Sequence, residues 1–302
     1  TRSFYFVSIA VIGLAAIFGI TSCLRWHEKQ KFEKQTTVMR KVCDDMRTSL
    51  PAFRQSRFNS HSDAVEKYLS YFDFNITTAK HRLGYVTSNS RRLFLHYIEP
   101  ASTQKKCGTV IFTHGYLGHS GIYSRFARFL INHNYGVFLW DLPGHGLSEG
   151  RRAYIEEFRD YATALDDIVS TARQLTSQPI SLVGHSTGCS AILQYMHGQG
   201  GNGFDNVVLL SPLIRSYAWH ISQVGTEVGS VFTDRIWRSQ RQVTHDSSFQ
   251  RFLELKDPLR ISTVPYAWVD ALECWNNDFA DWGKSDLPVT VVQGTDDTVV
   301  AW

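Results

Sequence analysis

Short apolar runs alternate with longer stretches of helical periodicity over most of this chain. Val110–Thr113, Val137–Trp140, Ile180–Val183, Val207–Leu210 and Val289–Gln293 read as strands. They are largely continuous apolar runs rather than alternating ones, as expected of strands covered on both faces. Between them, Ile122–Asn132, Glu156–Leu175 and Thr187–Met196 read as helices. The alternation predicts a mostly parallel sheet with helices on both faces. Upstream, Gly84–Thr87 and Leu93–Ile98 predict a hairpin around Ser88-Asn89-Ser90. Asp63 is the expected N-cap of a short helix whose Val65, Tyr68, Leu69 and Phe72 share one face.

Two stretches break this rhythm. Residues 212–286 hold Trp219, Trp237, Trp268, Trp275 and Trp282, five of the eight tryptophans. That concentration predicts a helical lid inserted before the last strand, with most of its tryptophans forming the lid's own core. At the other end, Ser3–Leu24 carries no charge over 22 residues. At helical rise this spans roughly 33 Å, about a bilayer's hydrocarbon thickness. The expectation is membrane attachment through 1–24, by one of two routes. One is an uncleaved transmembrane helix, with the main body on the cytoplasmic face because Arg25, Lys29, Lys31 and Lys34 follow it. The other is a lipoprotein signal, because Ile20-Thr21-Ser22-Cys23 resembles a lipobox, which would place the body in a bacterial periplasm or on the outer membrane. The expected domain plan is then an anchor at 1–24, a linker or stalk at 25–62, and one α/β domain at 63–302.

Composition narrows the function classes. The 302 residues are 43% hydrophobic and 20% charged, and the net charge is +3. That is too small to suggest nucleic acid as a partner, and no binding signature for it is present. The five cysteines are scattered without a C-x-x-C pair, which argues against a disulfide framework or a zinc site.

The chemistry is concentrated in four loops that follow strands. Gly184-His185-Ser186-Thr187-Gly188 is a G-x-S-x-G motif set between a strand and a helix. A nucleophile held on so sharp a turn needs small residues two before and two after it, and Gly184 and Gly188 supply them. Ser186 is therefore the expected nucleophile, facing a helix N-terminus that favours developing negative charge. Thr113-His114-Gly115-Tyr116 follows an earlier strand, where such a fold places an oxyanion loop. The expected donors are the backbone N–H groups of Tyr116 and Thr187, with His114 and His119 bracing the loop. Asp141–Gly150 is rich in glycine and is expected to shape the floor of the site, while Arg151 and Arg152 pair with Glu149. Finally, Asp297 ends a late strand in G-x-x-D spacing and is the expected triad acid, with Asp296 the runner-up.

A triad also needs an imidazole, which in this order follows the acid. All 12 histidines precede Asp297, and only five residues follow it. The expectation is that the final strand, helix and histidine lie beyond Trp302; His245 would be an irregular substitute.

Together these motifs resemble the monoacylglycerol lipase and lysophospholipase branch of the α/β-hydrolase superfamily, the serine aminopeptidase S33-like group. The resemblance rests on Phe112–Tyr123, Asp141–Arg151, Phe158–Tyr161, Gly184–Gly188 and Lys256–Leu259, and covers roughly residues 65–302. It implies an α/β-hydrolase fold with a lid over an acyl pocket. It also implies a Ser-His-Asp ester hydrolase working through an acyl-enzyme on a monoacylglycerol or lysophospholipid. No metal or organic cofactor is expected. The expected partners are an amphiphilic ester substrate and membrane lipid; oligomeric state is left open. A peptidase or another esterase of the same fold is one alternative. A hydrolase-like binding protein without catalysis, suggested by the missing histidine, is the other.

Overall fold

The computed structural model describes residues 32–199, 203–216, 234–237, 242–284 and 288–301. Two compact units form, one from 42–241 with 259–302 and the other from 1–41 with 242–258. The candidate chemistry lies in the first.

That unit opens its sheet with a long hairpin, β1 (Ala79–Ser88) and β2 (Arg91–Pro100). Asn89 and Ser90 form a two-residue turn, both with positive φ (44° and 62°). Such a turn matches the twist of paired strands, and Ser88 faces Arg91 across it. The hairpin therefore runs ten residues a side, longer than its apolar centres suggest. The remaining strands are β3 (Gly108–Thr113), β4 (Tyr135–Trp140), β5 (Ile180–His185), β6 (Val207–Leu210), β7 (Arg215–Ser216), β8 (Arg235–Trp237), β9 (Thr263–Pro265), β10 (Thr290–Val292) and β11 (Val300–Ala301).

Seven of them make one sheet in the order β1-β2-β4-β3-β5-β6-β10. β2 lies antiparallel to β4, and every pairing from β4 to β10 is parallel. This is the mostly parallel sheet of an α/β-hydrolase fold. All six residues of β3 are buried, as continuous apolar strands require.

Helices α1 (residues 32–49), α2 (Asp63–Tyr71), α3 (Ser124–Asn132), α4 (Arg159–Leu175) and α5 (Thr187–Gln199) precede two more, α6 (Ser247–Leu255) and α7 (Tyr266–Asp281). Leu165, Ile168 and Ala172 of α4 join Ile192 of α5 and the strand residues Leu95, Ile111, Phe138 and Leu182 in one core. Tyr97 stacks flat on Phe138 there, 4.1 Å between ring centres. Each fully buried large side chain of this kind contributes about 1.5–3 kcal/mol.

Several local expectations shift. The cap of α2 is Ser62, whose hydroxyl accepts the Val65 N–H, one residue earlier than Asp63. α4 begins at Arg159 rather than Glu156. The helix expected from Ile122 is a 3-10 turn at Ser120–Tyr123 leading into α3.

The membrane-anchored localisation is corrected. Among the described residues no helix is long and apolar enough to cross a membrane. The apolar run at 3–24 lies outside the described residues. The first described helix, α1, is amphipathic: it buries Thr36, Met39, Val42, Cys43 and Met46 along one stripe and carries Arg40, Lys41, Asp44 and Arg47 elsewhere. A helix with that charge cannot face hydrocarbon on all sides.

Within the second unit, α6 is capped by Asp246, whose carboxylate accepts the Phe249 N–H at 3.0 Å. The Thr36 hydroxyl reaches the Leu255 carbonyl there at 3.3 Å.

Candidate active site

Ser186 stands between β5 and α5 with φ at +52°, in the left-handed region that non-glycine residues rarely adopt. The strain is held by bonds on both sides. The Ser186 N–H donates to the Leu210 carbonyl at 3.0 Å, and its carbonyl accepts from Cys189 at 2.9 Å and Leu213 at 3.2 Å. The flanking glycines are needed sterically. A Cβ on Gly188 would lie 2.1 Å from the Thr113 carbonyl oxygen, and one on Gly184 would lie 2.7 Å from the Cys189 nitrogen. So α5 can start hard against the ends of β3 and β5 only without those side chains.

The loop after β3 also comes close. A Cβ on Gly115 would lie 3.1 Å from the Ser186 Cβ. Leu117 turns the loop with φ at +61°, and the Gly118 N–H closes it on the Gly115 carbonyl at 3.0 Å. Among the described residues, the N–H groups of Tyr116 and Thr187 take part in no backbone hydrogen bond of this region. These are the two amides expected as oxyanion donors, one from each loop.

His114 braces this loop from beneath. Its Nε2 accepts the Leu142 N–H at 3.0 Å, so its proton sits on Nδ1, which donates to the Gly115 carbonyl at 2.8 Å. Burial lowers its pKa to about 4, with Asp141 pulling the other way, so the ring is neutral at pH 7. His119 likewise serves its own turn, accepting the Gly121 N–H on Nδ1.

Asp141, at the end of β4, joins two loops. Wholly buried, its carboxylate accepts the Ser120 N–H at 2.6 Å and the Leu147 N–H at 2.7 Å. Gly146 has to be glycine, since a Cβ there would sit 2.0 Å from the Asp141 Oδ2. The Asp141–Gly150 segment is a buttress for the loop after β3.

The carboxylate after β10 is held from several directions. Asp297 Oδ1 accepts the N–H groups of Val299 and Val300 at 2.8 and 3.0 Å. Its Oδ2 accepts from the Gln293 amide at 3.1 Å. Burial alone would raise its pKa, but these hydrogen bonds outweigh it and hold the carboxyl below the usual aspartate value. Asp296 is exposed, and its side chain makes none of these bonds. The field of Asp297 reaches the serine's loop. Burial lowers the pKa of His185, and Asp297 partly offsets that. The His185 Nδ1 meets the Tyr123 hydroxyl at 3.0 Å.

A left-handed serine at a strand–helix junction and a hydrogen-bonded carboxylate two strands away invite comparison with known hydrolases. Residues 104–302 match the family model described as serine aminopeptidase, S33, about two thirds of the chain. The chain belongs to this family. Among curated proteins it is similar to human monoglyceride lipase, 33% identical over 130 residues, which is 43% of this chain and 42% of that protein. It is also similar to phospholipase YtpA of Bacillus subtilis, 27% identical over 105 residues, covering 35% and 40% of the two chains. The matched part of the chain thus spans about two fifths of the length of these relatives. Among solved structures, a soluble variant of monoglyceride lipase from Saccharomyces cerevisiae superposes with a TM-score of 0.62 at 20% identity, over 73% of this chain and 79% of that one. The fold is that of the α/β hydrolases, and the resemblance lies on their monoglyceride lipase-like branch.

Other parts of this family member's site were less legible. Trp268, on α7, lies flat on the Tyr116 ring, with centroids 3.6 Å apart and an angle of 11°. Its Nε1 donates to the Tyr161 hydroxyl at 3.1 Å. Trp268 and Trp275 belong to the main core beside Phe158, not to a separate core of the insertion. Trp237 is 81% exposed, and Trp219 lies outside the described residues. The expected pairing of Glu149 is also corrected. It bonds Arg92 at 2.7 Å, because the hairpin's end lies beside its loop. Arg151 pairs with Asp234 at 2.8 Å, and Arg152 bonds the Gly146 and Leu259 carbonyls. Among the described residues no cluster of three or more His, Cys, Asp or Glu side chains is placed to hold a metal ion.

Proposed function

We propose that this protein is a serine hydrolase of carboxylic esters, with Ser186 as nucleophile and Asp297 as the acid of its triad. The observation that carries the reading is the backbone of Ser186 itself. An unfavourable φ of +52°, enforced by the contacts of Gly184 and Gly188 and by the bonds to Leu210 and Leu213, has a use if it presents the hydroxyl. The Tyr116 and Thr187 amides then serve as the oxyanion donors. A tetrahedral intermediate at Ser186 would place its negative oxygen between them, where one such donor contributes about 3–4 kcal/mol. Ser186 attacks the ester carbonyl, its proton passing to an imidazole oriented by Asp297. The alcohol leaves, and water releases the acyl group from the serine. His114 and His119 are engaged within their own loops, so we assign the imidazole to a different histidine.

The substrate class we propose is a monoacylglycerol or a lysophospholipid, one acyl chain on a polar head. The similarity to monoglyceride lipases and a phospholipase supports it.

The test is labelling of the full-length protein by a fluorophosphonate probe, with wild type, Ser186→Ala and Asp297→Asn compared. Labelling that requires Ser186, together with hydrolysis across a panel of monoacylglycerols, lysophospholipids and p-nitrophenyl esters, is expected. Labelling that survives Ser186→Ala would overturn the assignment.

A further inference from the structure

One peptide unit joins Gly115 to Tyr116. It is planar, so its carbonyl and its N–H point in opposite directions and turn together. The carbonyl end is fixed twice: the Gly115 oxygen accepts the His114 Nδ1–H at 2.8 Å and the Gly118 N–H at 3.0 Å. The N–H end carries the Tyr116 side chain, and that side chain is fixed as well. Trp268 lies flat on its ring, 3.6 Å between centroids at 11°, and the His145 ring meets it edge-on at 5.3 Å. Its hydroxyl donates to the Ala153 carbonyl at 2.8 Å. Ala153 is buried with φ at +55°, a left-handed backbone that alanine rarely adopts. Bonds on either side hold it there. The Ala153 N–H donates to the Gly144 carbonyl at 3.0 Å, and the Arg235 guanidinium donates to the Arg152 carbonyl at 2.9 Å.

We infer that the Tyr116 side chain is a positioning group: clamped between the Ala153 carbonyl and the Trp268 indole, its ring sets the tilt of the Gly115–Tyr116 peptide and so aims the N–H that serves the oxyanion. The inference deepens the catalytic reading above and rests on it. The loop supplies little stiffness of its own. Gly115 has no side chain to pack, and Leu117 stands in the left-handed region at φ +61°. Yet an oxyanion donor works only within about 2.7–3.1 Å of the oxygen, and a misplacement of about 1 Å can cost about 100-fold in rate. Any residue but proline would present the same N–H. A bare amide has no need of a large ring laid on a tryptophan, with its hydroxyl tied to the carbonyl of a strained alanine. The tryptophan is itself fixed. Its Nε1 donates to the Tyr161 hydroxyl at 3.1 Å, and both residues belong to the main core. The clamp therefore refers the loop after β3 to the most rigid part of the fold.

The experiment uses the full-length protein, p-nitrophenyl butyrate as substrate, and an alkyl trifluoromethyl ketone as inhibitor. The serine hydroxyl adds to that ketone to give a tetrahedral oxyanion, so its affinity reports the oxyanion site apart from turnover. Tyr116→Phe keeps the ring and the amide and loses the bond to Ala153. Its kcat is expected to fall about tenfold with KM unchanged. Tyr116→Leu loses the stack on Trp268 as well, and its kcat is expected to fall about 100-fold. The conservative variant thus recovers part of what the other loses. In both, affinity for the ketone is expected to fall by the same factor as kcat/KM. A merely structural side chain would lower the thermal midpoint and leave kcat and ketone affinity unmoved in protein assayed well below that midpoint. Wild-type kcat and ketone affinity in folded Tyr116→Phe, with activity that Ser186→Ala abolishes, would overturn the positioning role and leave the catalytic reading intact. Activity that persists in Ser186→Ala would overturn the catalytic reading and this inference with it.

Discussion

Trp268 covers the face of Tyr116 like a plate, 3.6 Å between ring centres, with its indole N–H fixed on the Tyr161 hydroxyl. The residue that carries one candidate oxyanion amide is thereby packed against a tryptophan 152 positions further along the chain. Trp268→Ala opens a cavity in the main core and is expected to cost about 3–5 kcal/mol. Trp268→Phe keeps the stacking surface, loses the bond to Tyr161, and is expected to cost about 1 kcal/mol. Urea midpoints of the two variants test the difference, and equal losses would contradict it.

Two glycines near Ser186 should behave differently. At Gly188 an alanine methyl meets the Thr113 carbonyl oxygen at 2.1 Å, which no local adjustment can absorb. Gly188→Ala is expected to yield protein with neither fluorophosphonate labelling nor a cooperative unfolding transition. At Gly115 the nearest atoms are at 3.0–3.1 Å, tight but not forbidden. Gly115→Ala is expected to fold, with stability lowered by about 1 kcal/mol, and to label more slowly. A fully active Gly188→Ala would show that α5 can move off β3.

Asp141 is a structural carboxylate. Asparagine keeps its shape but turns one acceptor into a donor facing the Ser120 or the Leu147 N–H. Asp141→Asn is expected to cost about 3 kcal/mol, with protection against hydrogen exchange lost in both loops. Exchange unchanged at Ser120 and Leu147 would refute the role.

Acid should destabilise this fold through its histidines. Burial lowers the pKa of His81 and of His114 to about 4, and holds His96 and His145 well below the ordinary value. A histidine whose folded pKa is depressed contributes stability above its unfolded pKa of about 6.5 and loses it as pH falls toward the folded value. For His114 alone the loss between pH 7 and pH 4 is on the order of 3 kcal/mol. His81 and His96 share one hydrogen bond, Nδ1 to Nε2 at 3.0 Å, so they titrate as a pair. Denaturant midpoints are expected to be flat from pH 7 to 8 and to fall steadily from pH 6 to 4. A midpoint unchanged down to pH 4.5 would rule this out.

The sheet was readable because its strands are short, apolar and set between helical stretches. The loop chemistry was readable because glycine at 184, 188, 115 and 146 leaves a mark where side chains cannot fit. Ser211 left no such mark. Its backbone is left-handed, where glycine is more comfortable, yet Ser-Pro after a strand looks like an ordinary turn. Trp268 was misread for a related reason. Periodicity tells that one face of α7 is buried, but not that the partner is Tyr116. The pairing of Glu149 with Arg92 was hidden because it depends on where the β1–β2 hairpin ends, 57 residues away.

The backbone of Ser186 also fixes an order of events. Its left-handed turn exists only while β3, β6 and α5 press on it together, whereas the core of α4 and the central strands needs no such agreement. Under rising denaturant the turn should therefore relax first. Labelling of Ser186 by a fluorophosphonate would then be lost while the secondary structure is still whole, and would return on dilution without refolding.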